Sequence, residues 1–195
     1  MNVVTNISDL DLTKQYTYAD YLHWEFKERV ELIRGFIHKM SPAPNRRHQT
    51  ISQNVNGDIF SFFKKHLCKV YVAPFDVRLP IKNGKKDFTV VQPDLCVICD
   101  LEKLDDKGCN GAPDLIIEIL SPKNTKHDIH TKFNLYQESG VKEYWIIQPD
   151  NNIVLVYSLQ NEKYIGLQPF TEDDIIESVV FPEMKLLVND VFKDF

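Results

Sequence analysis

The chain has 195 residues with 43% hydrophobic and 11% aromatic composition, enough to bury one sizeable core in a single domain over residues 1–195. The sequence contains neither an apolar run of the roughly 18 residues needed to cross a bilayer nor a signal peptide, so we expect a cytoplasmic protein without a membrane-spanning helix. Its 23 basic and 28 acidic residues give a net charge of −5, which disfavours a nucleic-acid binder that relies on a globally basic surface.

The first elements in the sequence are a short helix, a hairpin and a longer helix. TYAD at residues 17–20 matches a capping box and predicts a helix to about Phe26. VELIRGFIHKM predicts two strands that turn at Arg34 and Gly35, because glycine tolerates the backbone conformation of a tight turn. From about residue 46 to residue 67, apolar residues recur at helical spacing and predict a helix of several turns.

Strands and one further helix make up the rest of the chain. KVYVAPFDVRLP, TVVQPDLCVIC and PDLIIEILS predict three strands, with turns at residues 83–84 and in DLEKLDDKGCNGA. A helix from about His127 to Ser139 ends at Gly140, and KEYWIIQP and NNIVLVYSL are predicted to be neighbouring strands. Short strands and a last turn near Val191 close the chain. This order predicts an α/β fold with a mixed β-sheet flanked by α-helices.

The cysteines do not predict a metal site. Cys96 and Cys99 lie together in DLCVICD, and an offset of three residues on a strand points two side chains to opposite faces. We interpret both as small buried hydrophobic residues with reduced thiols.

Two strands carry the carboxylates of a candidate site. If QPDLCVIC and PDLIIEILS form an antiparallel hairpin in symmetric register, Asp94 lies beside Glu118. Alternation places Glu118 on one face with Asp114 and Leu120, within an otherwise apolar strand, where a carboxylate must be paired, protonated or bound to metal. Two adjacent carboxylates suit Mg²⁺ or Mn²⁺. The alternative is a buried salt bridge at Glu118 and a turn-capping role for Asp94.

The following helix supplies a candidate cation. Asp128, Lys132 and Tyr136 are spaced four residues apart in HDIHTKFNLYQESG and share one helical face. Lys132 can reach back over the end of the sheet, where an ammonium would stabilise negative charge on a phosphoryl oxygen. The alternative is an ion pair between Lys132 and Asp128 on a solvated surface.

Together these segments resemble the Uma-two family of restriction endonucleases, a branch of the PD-(D/E)xK nuclease superfamily. The resemblance runs from about residue 17 to residue 156 and rests on VELIRGFIHKMSPAPNRRHQ, PFDVRLP, VQPDLCVI and APDLIIEILSPKNTKHDIHTKFNLYQESGVKEYWIIQP. It implies a restriction-endonuclease-like core and metal-dependent DNA cleavage. Asp94 matches the aspartate of the PD motif and Glu118 the second acidic residue. Leu120 stands where the superfamily has its lysine, and the family places a lysine on the following helix, at Lys132.

Further residues are candidates for an accessory role. Glu31 matches an acidic position of the family and either extends the metal cluster or forms a salt bridge to Lys39 or Arg34. His48 either contacts phosphate and exchanges protons near neutral pH or has a structural role. Asp114 lies roughly 13 Å from Glu118 along an extended strand, too far to share one metal, and is therefore peripheral. The accessory candidates are Glu31, His48, Asp114 and Tyr136.

Basic residues near these segments can create a local positive field despite the negative total. They are Lys39, Arg46, Arg47, Lys123, Lys126 and Lys132.

We therefore expect a Mg²⁺-dependent or Mn²⁺-dependent endonuclease that acts on DNA. One alternative is a non-catalytic nucleic-acid-binding or assembly module with the same fold, and another is a metal-dependent hydrolase of small phosphoesters. A homodimer is expected because cleavage of both strands suits twofold symmetry. The apolar tail around Val188, Val191 and Phe192 packs either on a partner or on the chain's own core.

Overall fold

Within the part of the chain that the structure describes, backbone hydrogen bonds form two six-stranded sheets and one two-stranded sheet. The computed structural model describes residues 3–40, 44–80, 89–121 and 126–194, and it leaves the side chains of residues 126–128 undescribed. The predicted turn at residues 83–84 lies outside this range. The helices are α1 Tyr18–Tyr21, α2 Arg46–Phe63, α3 Lys126–Ser139 and α4 Val188–Phe192.

The strands in chain order are β1 Val30–Ile33, β2 Phe36–Lys39, β3 Lys69–Val72, β4 Val77–Arg78, β5 Val90–Val91, β6 Leu95–Ile98, β7 Leu104–Asp105, β8 Gly108–Asn110, β9 Leu115–Ile119, β10 Glu143–Gln148, β11 Ile153–Gln160, β12 Lys163–Gly166, β13 Ile175–Glu177 and β14 Lys185–Leu187. The central sheet has the order β12-β11-β10-β9-β6-β3, and the second sheet has the order β2-β1-β5-β4-β8-β7.

The central sheet is mixed, as predicted. Strands β9 and β10 pair in parallel, whereas the other neighbours in this sheet are antiparallel. A parallel pair needs a crossover connection, which α3 supplies between these two strands. The predicted antiparallel neighbours, KEYWIIQP and NNIVLVYSL, are β10 and β11.

The two faces of the central sheet pack against different layers. On β9, alternation sends Leu115 and Ile117 into an apolar cluster with α2, and Ile116 into a cluster with α3 and the second sheet. The predicted alternation along this strand is therefore confirmed. Glu118 is two residues after Ile116 on the same strand, so its side chain lies on the same face of the sheet, toward α3.

The tail packs on the chain's own core. Val188, Val191 and Phe192 are buried in the cluster that also contains the apolar face of α2. The Asn54 side-chain amide donates to the carbonyl oxygens of Val191 at 3.2 Å and Lys193 at 2.8 Å. These tail residues therefore give no support to a homodimer, which stays a prediction.

Two predicted glycine positions are confirmed. Arg34 and Gly35 have φ values of 52° and 86°, the pair of positive angles that a two-residue hairpin turn requires between β1 and β2. Gly140 has φ 85° directly after α3, the left-handed conformation that often ends a helix.

Two of the predicted strands change sheet part-way. KVYVAPFDVRLP divides into β3 of the central sheet and β4 of the second sheet, and TVVQPDLCVIC divides into β5 and β6. Pro74 and Pro93 stand at the two breaks, where a residue without an N–H cannot continue a ladder. The prediction of single continuous strands here was wrong, and the break after β5 is what brings Asp94 to the junction of the sheets.

Two further predictions were wrong. Helix α1 begins with the predicted capping box but ends at Tyr21, and Trp24, beyond its end, forms a bridge with Val4. The segment DLEKLDDKGCNGA, predicted as a turn, contains a 3₁₀ helix at Leu101–Lys103 and the hairpin β7-β8. Strand β8 pairs with β4, which is distant in the chain, so the local composition of this segment could not predict the pairing.

Cys99 is half of a disulfide with Cys68, so its prediction as a reduced buried thiol was wrong. The antiparallel register that pairs Lys69 with Ile98 places these two cysteines opposite each other. Cys96 is a buried thiol, as predicted. Among the described residues, the structure contains no helix with the length and apolarity needed to cross a membrane.

A buried carboxylate joins the tail to the central sheet. Glu143 is fully buried and accepts hydrogen bonds from Trp145 Nε1 at 2.6 Å, Ser178 Oγ at 3.1 Å and the Val180 N–H at 2.7 Å. Burial raises the pKa of Glu143 above its ordinary value of 4.5, although hydrogen bonds from these groups act in the opposite direction.

This carboxylate predicts a pH-dependent stability. A carboxyl whose pKa is raised on folding contributes stability that is complete below its unfolded pKa and is lost as pH rises through its folded pKa. Glu143→Gln is neutral at every pH. We therefore expect the free energy of unfolding of the wild type, relative to this variant, to fall as pH rises above the ordinary carboxyl pKa of 4.5 in urea titrations. Glu177→Gln removes a carboxylate that is 59% exposed and serves as the control variant. Parallel curves for wild type and Glu143→Gln would contradict the assignment.

Candidate active site

The predicted symmetric register between β6 and β9 is present. Leu95 pairs with Ile117 and Cys96 with Ile116, so the same register continued by one residue places Asp94 opposite Glu118. The Ile119 N–H donates to Asp94 Oδ2 at 2.8 Å and fixes this carboxylate at the end of β9. The two acids, distant in the chain, therefore meet where β6 begins and β9 ends.

Helix α3 presents two donors to Glu118. Lys132 Nζ lies 2.9 Å from Glu118 Oε1, and Tyr136 Oη donates to the same oxygen at 2.6 Å. The spacing of four residues places both side chains on one helical face, as predicted. Lys132 thus faces the carboxylates. The side chain of Asp128, its alternative partner, lies outside the described residues.

Glu31 on β1 brings the second sheet into the same cluster. Its Oε1 lies 3.0 Å from Lys132 Nζ and also accepts the Gln92 N–H at 3.0 Å. Glu31 does form a salt bridge, but its partner is Lys132, so the predicted pairing with Arg34 or Lys39 was wrong. Arg34 extends away from the site and pairs with Glu138 at 2.6 Å.

The charges of this cluster are strongly coupled. Burial raises the pKa of Glu118, and the neighbouring charges of Asp94 and Glu31 add to the effect, while Lys132 opposes it. Burial disfavours the Lys132 ammonium, yet Glu118 and Glu31 outweigh burial and raise its pKa. Lys132 is therefore a permanent cation between two carboxylates, and Glu118 is a carboxylate that would gain from a further positive charge.

His48 lies on the other side of Asp94. Its Nε2 is 3.4 Å from Asp94 Oδ2, and its side chain is only 11% exposed. Burial lowers the pKa of His48, but the hydrogen bond and negative charge of Asp94 outweigh burial, so the net pKa is raised. An imidazole near the first turn of α2 is thus biased toward its charged form at the edge of the site.

Two residues of the sequence analysis lie apart from this cluster. Asp114, at the far end of β9, pairs with Lys142 at 2.6 Å and accepts the Cys99 N–H at 2.8 Å. It has a structural partner of its own and remains peripheral. Leu120, at the position of the superfamily lysine, packs in the apolar cluster around α3.

Sequence reasoning missed Gln92 and Arg29. Arg29 donates through Nε and Nη2 to Gln92 Oε1 at 3.1 and 2.7 Å, and Gln92 Nε2 donates to Asp76 Oδ1 at 2.8 Å. Gln92 therefore links Glu31 with Arg29 at the sheet junction. The only signal in the sequence was its position two residues before Asp94.

The cluster opens into a cavity of about 180 Å³, called here the carboxylate pocket and lined in part by Glu31, Asp94, Glu118, Lys132 and His48. Arg29 and Lys39 also line it and supply part of the expected positive field. Among the described side chains, Arg46 and Arg47 are not in its wall. Arg47 donates to the Pro149 carbonyl and to Asn152 Oδ1, Arg46 is largely exposed, and the side chains of Lys123 and Lys126 lie outside the described residues.

The pocket offers two carboxylates, the number that commonly holds Mg²⁺ in proteins. Within the described part of the chain, no group of three or more histidine, cysteine, aspartate or glutamate side chains is arranged around a metal position. Mg²⁺ is commonly held by only one or two carboxylates, with waters and substrate phosphate completing its shell. Asp94 and Glu118 offer those two carboxylates, and both hydrogen bonds from α3 fall on Oε1 of Glu118.

Comparison with known proteins places the chain in a family. The Uma2 family model, described as "Putative restriction endonuclease", matches residues 18–189. The chain belongs to the Uma2 family. This match confirms the resemblance drawn from the sequence and extends it into the tail.

Two individual proteins are similar to this Uma2 chain. An uncharacterized protein of Synechocystis sp., slr1290, is 26% identical over 140 residues, which cover 69% of this chain and 68% of that protein. A crystal structure from Anabaena variabilis, described as a "putative nuclease belonging to DUF820", superposes with a TM-score of 0.70 at 22% identity and covers 91% of this chain and 97% of that one. This likeness confirms the predicted fold class.

Because its ion pairs are buried, we expect removal of Lys132 to lower the free energy of unfolding more than removal of the exposed Lys185. Lys132→Met leaves Glu31 and Glu118, whose side chains are 6% and 11% exposed, without their cation. We expect a loss of about 3–5 kcal/mol in the free energy of unfolding near pH 7. Lys185→Met is the control, since its 2.7 Å pair with Glu177 is exposed and should cost about 1 kcal/mol or less. Equal losses in urea denaturation would contradict a buried, energetically coupled cluster.

Proposed function

We propose that this Uma2 chain hydrolyses phosphodiester bonds in DNA, with Mg²⁺ or Mn²⁺ held by Asp94 and Glu118. The observation that carries this proposal is the convergence of Asp94, Glu118 and Lys132 at one open pocket. A structural salt bridge alone needs only one carboxylate for one ammonium. Here two carboxylates, Glu31 and Glu118, contact the same cation, and a third, Asp94, lies opposite Glu118, an arrangement suited to an additional positive ion.

The metal ion would polarise the phosphate and lower the pKa of a bound water. The chain's own groups act around it. The attacking water loses a proton to solvent and forms a new bond to phosphorus, the bond to the leaving oxygen breaks, and that oxygen takes up a proton from the chain. Lys132 stabilises the negative charge that develops on the phosphoryl oxygens, as an ammonium already held in place by Glu31 and Glu118.

Three further groups support this chemistry. Tyr136 holds Glu118 in place through its hydrogen bond, and Glu31 keeps the Lys132 ammonium at the junction of the two sheets. His48 faces Asp94 and lines the same pocket. In the proposal its imidazole supplies the proton to the leaving oxygen.

A second candidate function has an observation in its favour. Lys132 already forms ion pairs with Glu118 and Glu31, and the chain as a whole carries a charge of −5. A non-catalytic nucleic-acid-binding or assembly module would keep this ion pair as a structural element and need no metal. Binding of Mn²⁺ separates the two functions, because only the catalytic module requires it.

Substitution of the proposed ligands should abolish cleavage. Asp94→Asn and Glu118→Gln preserve side-chain shape but remove the negative oxygens, and Lys132→Gln removes the ammonium. We expect each to lower the Mn²⁺-dependent cleavage rate of a mixed DNA substrate by about 100-fold or more. The measurement is a single-turnover gel assay with and without metal, on protein whose folding is checked by circular dichroism.

The matched control is Glu177→Gln, which removes an exposed carboxylate outside the pocket and should cleave like the wild type. Full activity in folded Asp94→Asn or Glu118→Gln would overturn their role as metal ligands. Wild-type protein that binds DNA but neither binds Mn²⁺ nor cleaves would favour the binding module instead.

A further inference from the structure

A second recess adjoins the carboxylate pocket. It has a volume of about 420 Å³ and lies between α2 and the end of β3, and we call it the amide pocket after the side chains of its α2 wall. The volume falls within the roughly 300–1,000 Å³ typical of pockets that take small molecules. Arg29, His48 and Asp94 line both pockets. A ligand with a phosphate at Asp94 can therefore extend directly into the second recess.

One wall of the amide pocket is polar and belongs to a single helix. Gln49, Ser52, Gln53 and Asn56 line it from α2 at intervals of three and four residues, so they share one helical face. The core uses a different face of α2, which buries Ile51, Val55 and Ile59. Gln49 and Gln53 are exposed to solvent, and their amides can meet a ligand without disturbing the core.

The facing wall is apolar. Val72, Ala73 and Pro74 line it where β3 ends, and Val72 is 41% exposed although it is a large hydrophobic residue. A recess with an apolar surface on one side and amides on the other suits a flat heterocycle that has polar edges. Asn and Gln amides carry a donor and an acceptor in the spacing that base edges match, and an apolar wall can cover a base face.

The negative charge of the chain also favours recognition of a base. With a net charge of −5 and carboxylates in the wall of the site, phosphate contacts can supply only part of the affinity for a nucleic acid. Contacts to a base do not depend on a basic surface. A base inside a stacked duplex cannot enter a recess in the protein, whereas an unpaired base can leave the stack at little cost.

We propose that the amide pocket binds an unpaired nucleobase next to the scissile phosphate. The substrate is then DNA that presents a single-stranded segment or an extrahelical base at the cleavage point, and Gln49 and Gln53 are specificity-determining residues. This inference rests on the proposed function, since the phosphate must lie at Asp94 for the neighbouring base to reach the recess.

The test compares three DNA substrates of one sequence: fully paired, with an unpaired nucleotide at one position, and with an abasic site at that position. For the wild type, we expect kcat/KM to be at least about tenfold higher with the unpaired base than with either other substrate. In the double variant Gln49→Ala, Gln53→Ala this ratio should fall to near one. Gln168→Ala removes an exposed glutamine outside both pockets and should keep the wild-type ratio.

Fluorescence anisotropy in EDTA measures binding of the same substrates without cleavage, on variants whose thermal melting matches the wild type. A wild type that cleaves all three substrates equally would overturn the amide pocket and leave the hydrolytic function standing. A wild type that cleaves none of them, yet binds the unpaired base better through Gln49 and Gln53, would support the pocket and overturn the hydrolytic function. Binding without any preference for the unpaired base would overturn the pocket whatever the cleavage result.

Discussion

The Lys132 ammonium, shared by two buried carboxylates, is the interaction on which the rest of the site depends. It joins α3 to Glu118 of the central sheet and to Glu31 of the second sheet. Removing a cation from two carboxylates in a buried setting leaves uncompensated charge, a far larger cost than the loss of a surface ion pair. This ion pair therefore joins the two sheets and the helix, and its three residues also line the carboxylate pocket.

The geometry around this cation follows from strands that change sheet. At Pro93 the chain passes from the second sheet into the central one, so Gln92 and Asp94 lie at the junction and reach both Glu31 and the end of β9. The earlier break at Pro74 ends β3 beside α2 and forms one wall of the amide pocket. Both pockets thus lie at the junction of the two sheets, and a ligand in one pocket lies next to the other pocket.

Much of the fold and the central pair of acids could be predicted because their signals are local. The capping box at Thr17, the turn at Gly35 and the end of α3 at Gly140 each depend on a few neighbouring residues. Alternation along β9 and a symmetric hairpin register were enough to place Asp94 opposite Glu118. Lysine and tyrosine one turn apart on α3 were likewise expected to face the same way, and both reach Glu118.

By itself the sequence determined most element types, the α/β class and the residues proposed for the site, since periodicity and backbone preference act over short distances. Tertiary structure alone decided the partner of Glu31, the disulfide between Cys68 and Cys99, the pairing of β8 with β4 and the burial of the tail. Each of these joins segments far apart in the chain. Their free energy comes from packing and charge pairing that exist only after the sheets have assembled, so no local pattern records them.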